Sequence, residues 1–211
     1  MTSATPNGAA VRFTEEMKGR VAFAEPDFHR GRERGDRLMF HLTIETPAID
    51  VFVDDPRHEA EATGWVHAEV LGGRLPVERG WFNLFVDTER PGEKRMLYRL
   101  HFADAVGHPL TLTGYKVIAH DAGFDLWPDT TTLFTRLLRG HVGPDAEEGA
   151  ELVASGILYV QKLDFLRQLT TFRGSGSTPM RNLGALARFN VLFLDQLRQV
   201  YAPRLGGRGR G

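Results

Sequence analysis

From residue 17 to residue 161 apolar and polar side chains alternate with a period of two, in short runs broken by turn residues. That period belongs to strands with one face buried. "RLMFHLTIE" (37–45) sets Phe40, Leu42 and Ile44 against His41, Thr43 and Glu45. "GWVHAEVLG" (64–72) sets Val66, Ala68 and Val70 against Trp65, His67 and Glu69. "GWFNLFVD" (80–87) follows, and then "RMLYRLHFAD" (95–104), with Met96, Tyr98, Leu100 and Phe102 opposite Arg99 and His101. "LTLTGYKVIA" (110–119), "TTTLFTRLL" (130–138) and the shorter "SGILYVQ" (155–161) continue the pattern, and "MKGRVAFA" (17–24) opens it. Turn signals such as "LGGR", "ERPGEK" and "DAVGHP" separate the runs. About eight strands joined this way predict a mostly-β chain, a lipocalin-like antiparallel β-barrel, because closure removes the exposed sheet edges.

Two stretches depart from the pattern. "DDPRHEAEA" (54–62) places Pro56 after two acids, which predicts one or two helical turns. After residue 161 the period lengthens. "KLDFLRQLTTF" (162–172) spaces Leu163, Leu166 and Leu169 as a helix does, "GSGSTP" (174–179) reads as a linker, and 180–202 is a strong amphipathic helix. Leu183, Leu186, Phe189, Phe193, Leu197 and Val200 form its apolar stripe, and Pro203 ends it. The predicted organisation is a barrel domain over 11–161, C-terminal helices packing on it over 162–203, and disordered tails at 1–10 and 204–211.

Composition narrows the picture. The 211 residues suit one sizeable core, and 42% hydrophobic with 25% charged residues is ordinary for a folded chain. A net charge of -1 supplies no field for nucleic acid. With no cysteine, disulfides, thiolate catalysis and cysteine metal sites are excluded. The N-terminus has no basic–apolar leader pattern and no run approaches the roughly 20 apolar residues of a membrane span. A soluble, cytoplasmic protein is expected.

Candidate chemistry is sparse. Phe40, Trp65, Trp81, Phe85, Tyr98 and Tyr115 lie on predicted strands. Aromatic walls with a few polar groups suit an apolar ligand, and an eight-stranded barrel is wide enough to be filled or to hold one small molecule. The period does not say which face of each strand points inward. "FDLWPDTTTLFTRLL" (124–138) reads as a turn feeding a strand, with Asp125 and Asp129 closing it around Pro128. Its functional alternative sets Trp127 over the barrel mouth and Asp125 inside. His67, Glu69, His101 and Asp125 are the candidates for proton transfer. No histidine pair has metal-ligand spacing, "RGSGSTP" lacks the lysine of a phosphate loop, and no nucleotide, serine-hydrolase or zinc-deaminase motif is present. Neither a metal nor a cofactor is expected.

"LGGRLPVERGWFNLFVD", "RMLYRLHFADAVGHPLTLTGYKVI", "DAGFDLWPDTTTLFTRLLRG" and "SGILYVQKLDFLRQLTTFR" resemble a bacterial region found beside, or fused to, cholesterol-oxidase-like flavin oxidoreductases of the glucose-methanol-choline group. The resemblance covers roughly residues 13 to 202 and includes no flavin fingerprint, so no FAD chemistry comes with it. It implies a neighbourhood of sterol or lipid metabolism. Three functions are therefore expected, in this order: binding of a sterol, polyketide or other lipid in the barrel; a cofactor-independent isomerase, cyclase or hydratase acting on an apolar substrate; and an accessory protein docking on an oxidoreductase through its helical end.

Overall fold

The computed structural model describes residues 8–119, 131–160, 173–175 and 178–201. The chain forms a closed antiparallel β-barrel capped at one end by helices. Its strands are β1 (Ala10–Phe23), β2 (Asp36–Glu45), β3 (Glu59–Ala68), β4 (Gly73–Pro76), β5 (Arg79–Asp87), β6 (Glu93–Ala103), β7 (Pro109–Ala119), β8 (Thr132–Arg139), β9 (Leu152–Tyr159) and β10 (Arg173–Ser175). The wall runs β1-β2-β3-β5-β6-β7-β8-β9, and β9 returns to β1. β4 and β5 both pair with β3, at Trp65↔Pro76 and Glu61↔Trp81, so they act as two halves of one bent wall strand. Eight walls thus close the ring.

Closure depends on small residues. At the seam Gly19 pairs with Leu158 and Val21 with Gly156. A Cβ on Gly156 would stand 1.9 Å from the Arg20 carbonyl oxygen, and one on Gly19 would stand 2.0 Å from that of Ile157. Only glycine lets the two backbones approach this closely. Helix α1 (Phe28–Arg34) covers the outside of the seam, capped by Asp27, whose carboxylate accepts from the Arg30 N–H at 2.9 Å.

The opposite end is closed by α2 (Ile49–Asp54) and α3 (Pro179–Tyr201). Phe189 of α3 packs against Phe13 and Phe52, with ring centroids 6.2 and 6.1 Å apart, and Phe193 packs on Phe85 at 5.1 Å. Phe85 sits in a bulge of β5 with φ +52°, a strained backbone for a bulky residue. The bulge turns its ring under α3. On the predicted stripe Phe189 and Val200 are buried, whereas Leu183 is exposed. Met180, Val191 and Leu194 are exposed beside it. No helix among the described residues is long and apolar enough to cross a membrane.

The mostly-β barrel agrees with the pattern of the sequence, and several details differ. Residues 54–62 are not helical beyond Asp54: Pro56 follows the end of α2, and the Asp55 carboxylate accepts from the N–H groups of Arg57 and Glu59, both at 3.0 Å, turning the chain into β3. Ala60 and Ala62 then take the buried face that Glu59 and Glu61 leave. β1 begins at Ala10, well before the strand start expected at residue 17. "RGS" at 173–175 is not linker but an edge strand on Ala10–Arg12. The "LGGR" turn contributes β4, and α1 was too short to show a helical period. The expected helix at 162–172 and the turn at 124–130 lie outside the described residues.

Candidate functional site

Alternation along three walls decides what faces the lumen. On β1 the row Val11, Phe13, Met17 and Val21 is buried, and Glu15 belongs to it. On β6 the row is Met96, Tyr98, Leu100 and Phe102; on β7 it is Leu110, Leu112, Gly114, Lys116 and Ile118. A carboxylate, a phenol and an ammonium are therefore placed inside by the same parity that places their apolar neighbours. β1 lies across the ring from β6 and β7, so the three side chains meet across the lumen, in the half nearer α2 and α3.

The contacts are direct. Lys116 Nζ donates to Glu15 Oε1 at 2.5 Å, and Tyr98 Oη donates to Glu15 Oε2 at 2.6 Å. Exposure is 3% for Glu15, 2% for Tyr98 and 2% for Lys116. Lys116 Nζ also stands 5.2 Å from the centre of the Tyr98 ring. Phe82 and Phe40 pack on that ring at 5.0 and 5.9 Å. Burial pushes the Tyr98 hydroxyl well above its ordinary value, and the adjacent Glu15 charge and hydrogen bond push the same way. The phenol therefore remains a donor. Chemically the cluster can orient one polar group of an apolar molecule, or offer a carboxylate for proton transfer beside an ammonium that donates hydrogen bonds.

The residues expected from sequence divide. Phe40 and Tyr98 face the lumen, and Phe85 is buried beneath α3. Trp65, Trp81 and Tyr115 are on the outer wall, one residue out of phase with the buried rows. Trp65 lies between His41, stacked at 5.7 Å, and the Arg74 guanidinium at 4.3 Å. Tyr115 packs against Phe28 of α1 and Phe134. Asp125 and Trp127 lie outside the described residues.

The outer position also changes the reading of the histidines. His67 pairs with Glu69 at 3.1 Å, and Glu69 is highly exposed. Both line an outer groove of about 810 Å³ with Lys18, Arg20, Arg32 and Arg37. His101 is buried beneath residues 140–147, where Nε2 stands 3.1 Å from the Val142 carbonyl oxygen and its ring stacks on His141 at 4.8 Å. Arg99 donates to the Val142 carbonyl at 2.9 Å and to Glu147 at 2.5 Å, and the Thr113 hydroxyl donates to Glu147 at 2.8 Å. His101 thus pins a loop to the wall. Desolvation lowers its pKa, and neighbouring His141, Arg99 and Arg79 add to that against the bond to Val142. Among the described residues no three His, Asp or Glu side chains gather as metal ligands.

Glu15 and Lys116 were missing from the sequence candidates. The available signal was parity, since Lys116 falls in the row of Leu110, Leu112 and Ile118. Compared with known proteins, the chain matches no family model, no curated protein and no solved structure.

Proposed function

We propose that the protein binds a hydrophobic small molecule inside its barrel, with the ligand's polar group meeting Glu15, Tyr98 and Lys116. An eight-stranded closed barrel is compatible with such a ligand. The observation that carries the reading is one polar cluster set among apolar lumenal rows, the usual composition of a small-molecule site. The resemblance of residues 13–202 to the region beside cholesterol-oxidase-like enzymes favours a sterol or another lipid. Native mass spectrometry of gently purified protein, followed by organic extraction, tests it. A stoichiometric lipid that is lost from Lys116→Gln protein supports the reading; a bound molecule unaffected by that change, with the variant folded, moves the site elsewhere.

The same cluster favours a second reading, proton transfer on an apolar substrate without a cofactor. Glu15 would act as the base, and the remaining N–H donors of Lys116 would hold the oxygen where negative charge develops. Recovery of the extracted molecule unchanged after long incubation with concentrated protein would rule this out.

A further inference from the structure

We propose that the lumen selects ligands whose polar group is an uncharged oxygen, a hydroxyl or ketone, and rejects carboxylates of the same skeleton. This rests on the lumen-binding reading above.

Glu15 and Lys116 form an ion pair with no net charge, enclosed by apolar side chains. Among the described residues they are the charged groups on the inner rows away from the rim. Lys94, at the rim of the same end, is paired outward with the exposed Asp87 at 2.5 Å. The cluster also has spare capacity. An ammonium has three N–H donors and a carboxylate about four acceptor positions. Among the described residues, one donor of Lys116 and two positions of Glu15 are hydrogen-bonded. A buried ion pair is stable only when its remaining groups find partners.

A hydroxyl satisfies both remaining needs, accepting from Lys116 and donating to Glu15. A ketone accepts from Lys116. Neither alters the charge balance. A carboxylate would leave a net negative charge in an apolar enclosure, beside Glu15. Tyr98, held as a donor to Glu15, does not offset it.

The test measures binding of four probes of one chain length to the full chain: dodecanol, the matching methyl ketone, dodecanoate and methyl dodecanoate. Because the outer groove carries four cations, dodecanoate is also measured on Arg32→Gln/Arg37→Gln protein. Alcohol, ketone and ester should bind at least about tenfold tighter than dodecanoate to that variant. Glu15→Gln, which leaves the cluster with one positive charge, should bring dodecanoate level with the alcohol or ahead of it. The ester comparison uses unaltered lumenal residues, so it decides even if Glu15→Gln fails to fold. Dodecanoate binding the groove variant as tightly as its ester would overturn charge selection while leaving lumen binding in place. Binding of none of the four would overturn both.

Discussion

Glu15 is enclosed with two donors that it must satisfy alone. Glu15→Ala should cost about 3–5 kcal/mol, because it strands the Lys116 ammonium in an apolar wall. Replacing both partners, Glu15→Leu with Lys116→Met, should restore stability to within about 1 kcal/mol of the parent or raise it. Denaturant titrations of the single and double variants would settle this. A double variant as weak as the single would mean that the pair contributes more than its own compensation. A second residue-scale prediction concerns acid. His58 stands 2.9 Å through Nδ1 from the Leu84 carbonyl, and burial lowers its pKa below the ordinary 6.5. His101 is lowered for the same first reason. The unfolded chain then takes up protons before the folded one, so stability falls as pH drops below about 6.5. The carboxylates of Asp55 and Asp104 are lowered instead, so their contribution is lost only further into acid. Thermal midpoints should decline between pH 7 and 5; a flat profile over that interval would contradict the burial assigned to these two imidazoles.

At the scale of elements, the seam between β1 and β9 is the most exacting part of the wall. Gly156→Val has no room beside the Arg20 carbonyl and should lower stability by at least about 2 kcal/mol, read from the shift in urea midpoint. A neutral result would mean that the strands can part without opening the ring. Phe189→Ala on α3 should cost about 3–5 kcal/mol, since its ring fills the space between Phe13 and Phe52. Strands were the most legible feature of the sequence, because one buried face imposes a period of two over many residues. Pro56 misled, since a proline just past a helix and one just inside its start look alike without the neighbouring φ/ψ. The site was less legible. Alternation separates two faces without saying which is inside, so Trp65, Trp81 and Tyr115 read as equivalent to Phe40 and Tyr98. Lys116 carried the better clue, a charge in phase with leucines. Its meaning depends on Glu15, 101 residues away in the chain, and no local pattern links them.

For the whole molecule, the bound state should be the more stable one. A ligand at a hundredfold excess over its Kd adds about 2.7 kcal/mol to the unfolding free energy. Its thermal shift should rise with concentration and vanish in the double variant that removes the ion pair. A shift of equal size in that variant would place the ligand away from the cluster.

The joining of β1 to β9 also sets a schedule for synthesis. β1 emerges from the ribosome first, yet its partner along Lys18–Phe23 is not complete until Tyr159 has been made. At ordinary elongation rates that interval is on the order of ten seconds. Throughout it the growing sheet is an open ribbon with two unpaired margins, one of them at β1. The nascent chain should therefore depend on holding chaperones far more than the finished barrel does, and variants that delay the seam should be lost during translation rather than afterwards.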